Sequence, residues 1–288
     1  MKCLVLFLIL CSSLVAKQNR ESSFPYLSGD TFRAYADFII DETTQDFSFE
    51  NVQSGDVIFV KTDYLELFFQ EHHPRIAEPY VLITHNSDRA IPGPFVSMLD
   101  DEKLLAWFGQ NVEKCSHPKL HPIPIGIANK SWRHGNTEIF DIVSSKRAGI
   151  PKKHFLYLNF TIGTFVNERS LVYNLFKDKP YCTLSSPKHL KAYLLDLALS
   201  KFVLSPRGNG LDCHRTWEAL YMGAIPIVSS SSSDSMYEGL PVLIIEHWED
   251  LNFDRLQQKY KEMQQETYDM ERLFAPYWLE RIEKERKR

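Results

Sequence analysis

Residues 201–228 read KFVLSPRGNGLDCHRTWEALYMGAIPIV. An apolar run, a Pro- and Gly-containing turn around Arg207, an amphipathic stretch closed by Gly223 and a second apolar run follow one another without interruption. That order is the plan of a βαβ unit, because parallel strands can be joined only through a crossover, usually a helix. Asp212 is expected as the N-cap of a helix running to Met222, with Gly223 just past its end. At about 100° per residue, His214, Glu218 and Tyr221 share one helix face with Arg215 and Met222 at its edge, and Cys213, Trp217 and Leu220 share the opposite face. The first face is expected to point away from the core and the second to lie on a sheet.

The loop leaves the carboxyl end of a strand, which is where open α/β sheets bind ligands. Gly208 and Gly210, with Asn209 between them, let backbone N–H groups approach a ligand closely, and the following helix offers its unpaired amides and positive dipole end to an anion. Arg207 and Arg215 add forked, permanently charged donors that match phosphate oxygens. A diphosphate suits this set, and Glu218, one turn into the helix, can accept hydrogen bonds from two sugar hydroxyls. The same residues also serve a tight turn followed by a surface Arg215–Glu218 pair at i, i+3 spacing. Neither a Walker loop nor a dinucleotide fingerprint is present, since no Gly-Lys-Ser/Thr follows and Cys213 stands where the third glycine belongs.

Residues 201–228 closely resemble the core signature of exostosin-like glycosyltransferases, which read much like CPRG…HR.WEAL..G.IPIV here. They are also similar to the wider GT-B pattern in which a glutamate followed by A…G.P.I holds the nucleotide ribose. The resemblance implies two Rossmann-type domains facing a cleft and transfer of a sugar from a nucleoside diphosphate donor to a carbohydrate hydroxyl, with inversion. It maps Arg207 and Arg215 to the diphosphate and Glu218 to the ribose. It implies no essential metal and no cofactor beyond the donor itself, and no D-x-D triplet occurs in the chain.

Working outward, the rest of the chain alternates in the same way. Apolar runs at 57–60, 80–84, 106–108 and 121–127 are separated by helical patterns at 63–73 and 96–105, and 138–153 reads as a helix and crossover. The alternation restarts with HFLYLNF at 154–160 and continues through PVLII at 241–245. Two doubly wound α/β domains are expected, an acceptor-side domain over 17–150 and a nucleotide-sugar-binding domain over 151–288, with a cleft between them. The final segment from Trp248 is helical in pattern, with Pro276 interrupting it and Tyr268, Phe274, Tyr277 and Trp278 packing a terminal helix onto the body.

Composition agrees with a globular protein: 288 residues, 44% hydrophobic and 24% charged, enough for a sizeable core and unlike a disordered chain or a membrane-spanning bundle. A net charge of −4 argues against a nucleic-acid partner. Residues 1–16 have the layout of a signal peptide or short anchor, which implies the secretory pathway, in the Golgi or endoplasmic reticulum lumen, or secretion, with membrane association only if the segment is uncleaved. Residues 17–30 read as a mobile lead-in. Cys115, Cys182 and Cys213 form no disulfide framework, and NKS at Asn129 and NFT at Asn159 are glycan-acceptor triplets in a eukaryotic host.

Three apolar runs of the first half deliver polar residues at their ends: His85, Asn86, Ser87 and Asp88; Gln110 and Asn111; Asn129 and Trp132. Consecutive polar strand ends point at a shared crevice, so Asn86 and Asn111 are expected on the acceptor side. Asn159, Thr161 and Arg169 follow the first strand of the second half, and Asn159 and Arg169 are expected on the donor side. A transferase needs a base for the acceptor hydroxyl, and Asp88 or His85 fits that role; the alternative is that HNSD only caps a turn. Two rivals use the same residues: a nucleotide or glycan binder that lacks the base, and a metal-dependent hydrolase centred on His85, Asp88 and His117. His117 and His121 lack the spacing of a metal motif and are expected as loop histidines.

Overall fold

The structure, a computed structural model, describes residues 20–44, 48–113 and 115–287. The expected leader at 1–16 lies outside the described residues. The helices are α1 (Gly29–Tyr35), α2 (Leu65–Leu67, extended by a π turn over Phe68–His72), α3 (Thr137–Ser144), α4 (Val166–Phe176), α5 (Leu190–Ala198), α6 (His214–Tyr221), α7 (Phe253–Met263) and α8 (Ala275–Arg286). The strands are β1 (Phe38–Ile40), β2 (Asp56–Lys61), β3 (Tyr80–His85), β4 (Leu104–Gly109), β5 (Leu120–Pro122), β6 (His154–Leu158), β7 (Cys182–Leu184), β8 (Ser200–Leu204), β9 (Ile225–Ser229) and β10 (Leu243–Ile245). No described helix is long and apolar enough to cross a membrane.

The strands form two five-stranded sheets in which every pair is parallel. Their near-continuous apolar runs fit that arrangement, because parallel strands are covered on both faces. The second sheet has the order β10-β9-β8-β6-β7, so the winding reverses between β6 and β8. The first has the order β1-β2-β3-β4-β5 and never reverses. Here the structure departs from the doubly wound expectation for the first half.

A sheet wound in one direction with right-handed crossovers carries all its connections on one face. On that face Ile58, Val60, Leu82 and Trp107 meet Leu65, Phe68, Phe69 and Leu99 from the connecting segments. The opposite face, with Val57, Phe59, Val81, Ile83 and Phe108, is covered by Phe32 of α1 and by Trp278 and Ile282 of α8. The last helix of the chain therefore closes the core of the first sheet. Pro276 lies in the first turn of α8, where a missing N–H costs no hydrogen bond, so it starts the helix and does not interrupt one.

The second sheet is covered on both faces by its own half. Val172 and Phe176 of α4 and Leu256 of α7 pack one face against Leu156, Phe202 and Ile227. On the other, α5 and α6 join the same continuous core that contains α8 and the first sheet. The expected helix over 96–105 is instead a run of tight turns over Gly93–Asp100 followed by β4, because Leu104 and Trp107 are buried within the sheet.

Residues 20–30 are no mobile lead-in. Ser23, Leu27, Ser28 and Asp30 are buried; Ser28 caps α1; the Leu27 amide donates to the Tyr221 hydroxyl at 3.1 Å. Arg20 pairs with Asp30 at 2.8 Å.

Candidate active site between the two sheets

The reversal between β6 and β8 places the loops after both strands side by side at the carboxyl edge of the second sheet. The loop after β8 carries Arg207, and α6 carries Arg215. Arg215 donates from Nε to the Asn159 carbonyl at 3.0 Å and lies over the Phe160 ring at 5.3 Å. Arg207 lies over the Phe165 ring at 4.7 Å and reaches Glu113, from the first half, at 3.5 Å. The buried Nε of Arg207 and Nη1 of Arg215 have no hydrogen-bond acceptor. Each such orphaned donor costs about 1–3 kcal/mol, a cost that an oxygen acceptor held here would offset.

Arg169 is buried, donates to the carbonyls of Arg207 at 2.8 Å, Thr161 at 2.7 Å and Pro206 at 3.5 Å and to Cys213 Sγ at 3.7 Å, and lies over the Phe160 ring at 5.6 Å. It ties the two loops together and sets the arginine loop in place. Burial first, and then repulsion from Arg215, pulls its guanidinium below the ordinary value. An anion held nearby would relieve that repulsion.

The glycines have a different role from the expected one. The Gly208 N–H donates to the Gly210 carbonyl at 3.2 Å, and a Cβ on Gly208 would lie 3.1 Å from Arg169 Nη2. A Cβ on Gly210 would lie 2.5 Å from the side-chain amide of Asn111. Asn111, in the left-handed region at φ 58°, accepts from the Leu211 N–H at 3.0 Å and the Asp212 N–H at 3.5 Å. Gly210 thus makes room for a neighbouring residue, and amides expected to be bare are occupied. Asn111, expected to face the acceptor, is a wedge between the halves.

Asp212 is not the N-cap; Cys213 holds that position without a side-chain cap bond. The buried Asp212 carboxylate accepts from the Ile125 N–H at 2.8 Å, Trp217 Nε1 at 2.7 Å, the Tyr237 hydroxyl at 3.0 Å and the Cys213 N–H at 2.8 Å. Burial pushes its carboxyl up and the four donors oppose that. Its bond to Ile125 makes it another tie between halves.

Along α6, His214 Nδ1 donates to the Gly126 carbonyl at 2.7 Å, and Glu218 accepts from the Tyr193 hydroxyl at 2.9 Å. Burial and then Glu218 raise Tyr193 well above its ordinary value, which keeps it a donor. Tyr221, expected with them on a face turned from the core, is fully buried with its hydroxyl on the Leu273 carbonyl. The Asn159 side chain donates to the Tyr157 hydroxyl at 3.0 Å and the Ser186 carbonyl at 3.4 Å.

Opposite this corner is a cleft of about 760 Å³. His85, Asn86, Asp88 and Gln110 from the ends of β3 and β4 line it, with Asn129 and Trp132 from the loop after β5 and Asn209 and His214 from the second half. Arg207, Arg215 and Glu218 are not in its wall, so the arginine corner adjoins this space without forming it. Asp88 accepts from Asn209 Nδ2 at 2.9 Å across the two halves. Asn86, left-handed at φ 61°, donates to Asp30 at 3.2 Å and accepts from Asn129 at 2.9 Å. Gly29 lies so close that a Cβ there would be 1.8 Å from Asn86 Oδ1.

His85 is buried with both ring nitrogens engaged. Nε2 donates to the Pro124 carbonyl at 3.0 Å, and Nδ1 accepts from the Asn86 N–H at 2.7 Å. Burial lowers its pKa to about 4, so the ring is neutral at pH 7. Its lone pair is spent on the backbone. Asp88, by contrast, is exposed, and its carboxylate accepts from the side-chain amide of Asn209 in the facing half.

Residues 174–287 match the family model described as the RXYLT1 C-terminal domain. The match covers the stretch that carries the exostosin-like signature and supports that relationship. A solved structure described as "Crystal structure of GtfA/B complex" aligns over 83% of this chain at 15% identity and a TM-score of 0.40. The chain spans 59% of the length of that structure's chain. No curated protein matches this chain.

His117 pairs with Asp100 at 3.7 Å and His121 stacks on Phe108 at 4.7 Å, and neither lines the cleft. The three residues of the hydrolase alternative are therefore not gathered, and among the described residues no three His, Cys, Asp or Glu side chains group as a metal site. The amide nitrogens of Asn129 and Asn159 both donate within the chain, which sets both triplets at structural positions. Sequence reading passed over Arg20, Gly29 and Asp30, which support the cleft; the Ser28 cap before an amphipathic turn was the available signal.

Proposed function

We propose that the chain is a glycosyltransferase that moves a sugar from a nucleoside diphosphate to a carbohydrate hydroxyl. The observation that carries this reading is the arginine corner at the β6/β8 reversal, with orphaned N–H groups on Arg207 and Arg215 next to a polar cleft that contains Asp88. The exostosin-like signature and the family match over 174–287 support it.

In this reading Arg207 and Arg215 hold the diphosphate and Arg169 positions them. Glu218, with Tyr193 fixing one oxygen, receives the ribose hydroxyls; Asn159 and His214 frame the donor, and Asn209 links it to the cleft. The acceptor hydroxyl oxygen forms a bond to the anomeric carbon while the bond from that carbon to the phosphate oxygen breaks. Asp88 takes the hydroxyl proton, and the diphosphate leaves with the bonding pair, from the face opposite attack, so the anomeric centre inverts. The arginines neutralise the charge that develops, where preorganised donors have their largest effect, about 3–4 kcal/mol for one well-placed donor. The reaction then needs no essential metal.

Thermal unfolding of the full chain with nucleoside diphosphates tests the donor site. A ligand at about 100 times its dissociation constant adds about 2.7 kcal/mol to the folded state. Arg207→Ala is expected to abolish the shift, and Glu218→Gln to weaken nucleosides as well as diphosphates. An unchanged shift in both variants refutes the site.

A further inference from the structure

Trp132 is 69% exposed although it lines the cleft, which is unusual for the largest side chain. Its loop is not loose. The Trp132 N–H donates to the Asn129 carbonyl at 2.8 Å, and the Gly135 N–H to the Trp132 carbonyl at 2.9 Å. A Cβ on Gly135 would lie 2.0 Å from the Asn129 oxygen, so only glycine closes this double turn. The Asn129 side chain accepts from the Asp30 N–H at 2.9 Å and donates to Asn86, which fastens the loop to α1 and to the end of β3. Rigid support holds an apolar ring in solvent at the edge of a polar space.

The charges lining the cleft cancel. Lys61 pairs with Glu42 at 3.2 Å, Arg89 with Asp63 at 3.3 Å, and Arg20 with Glu42 and Asp30. The amides of Asn86, Gln110 and Asn129 stand among them. Such a wall, with donors and acceptors interspersed and no cation left unpaired, suits hydroxyl groups and gives a charged ligand no counter-ion. Its volume is within the range of about 300–1,000 Å³ usual for small-molecule sites.

We propose that Trp132 is the stacking platform for an uncharged pyranose ring of the acceptor, whose C–H face rests on the indole while a hydroxyl points to Asp88. This rests on the transferase reading and names the acceptor class for it. An aromatic face that binds by C–H contact keeps its affinity without any charge on the ligand.

Saturation-transfer NMR on the full chain with methyl β-glucopyranoside, methyl β-galactopyranoside, methyl α-mannopyranoside and the charged probe glucose 6-phosphate tests it. At least one neutral glycoside is expected to bind with its ring C–H protons most saturated. Trp132→Ala should weaken it about two- to tenfold, and Trp132→Phe should restore part of the loss. The nucleoside diphosphate thermal shift should be the same in wild type and Trp132→Ala, because the arginine corner is untouched. Absence of neutral glycoside binding, equal binding by Trp132→Ala, or tighter binding of glucose 6-phosphate overturns the platform. Absence of the nucleotide shift in wild type overturns the transferase reading instead.

Discussion

The two sheets have the same number of strands and the same parallel pairing but are wound differently. In the second, the reversal sets the loops after β6 and β8 side by side, and three arginines gather there, with Arg207 3.5 Å from the Glu113 carboxylate of the first half. The first sheet has no reversal. Its polar strand ends supply most of the cleft wall, and Asn209 and His214 complete it from the second half. In the proposed reading the difference separates two tasks: one side concentrates positive charge for a leaving anion, and the other balances its charges around a neutral partner.

Asp88→Asn should have the largest effect on this division. With the base removed, transfer is expected to fall about 10²–10⁴-fold, read as diphosphate release, while the nucleotide thermal shift persists. Undiminished transfer would mean that the first half supplies no base.

The shared core can be broken at α8. Trp278→Ala removes a fully buried ring whose Nε1 donates to the Arg272 carbonyl at 2.8 Å, and should cost about 3–5 kcal/mol in urea unfolding. Because α8 covers the first sheet, both halves should unfold together; a transition confined to the second half would contradict the packing.

His85 makes a pH prediction. Its folded pKa of about 4 is below the unfolded value of about 6.5, so the unfolded chain binds the extra proton in between. Its contribution is present above pH 6.5 and is lost as pH falls toward 4, by about 3 kcal/mol at most. In His85→Gln the stability slope across that window should flatten.

The smallest effect is expected at the wedge. Gly210→Ala forces a Cβ against Asn111, and Asn111→Ala should relieve it, with a coupling energy of about 0.5–3 kcal/mol in a double-mutant cycle. Simple additivity would show that Asn111 yields freely and does not set the spacing of the halves.

The α/β alternation was legible because parallel strands write themselves as short apolar runs, as in YVLITH of β3, all six residues of which are buried. The pairing of Arg207 and Arg215 at one corner was legible because both fall within one βαβ unit, whereas Arg169 and Asn159 reach it from outside that unit. Gly223, at φ +71°, ends α6 as expected. The roles of Gly208, Gly210 and Asp212 were misread for a single reason: each is defined by a partner 39 to 99 residues away, Arg169, Asn111 and Ile125 respectively. Residues 20–30 looked like a polar leader because their burial comes from α6 and the loop before α3, which no local pattern encodes.

Local chemistry alone therefore determined most of the strands and helices, though not α1 or the start of β4; it also determined where the loop after β8 turns and that guanidinium groups stand at its start. Side-chain periodicity and turn preference act over a few residues and are written in order along the chain. The direction of winding, the closing of the first sheet by the last helix, the engagement of both His85 nitrogens and the facing of Asp88 by Asn209 were decided only in three dimensions. Those features depend on which apolar face finds which, and on hydrogen bonds between groups far apart in the chain, and the burial that selects them exists only once the whole core has assembled.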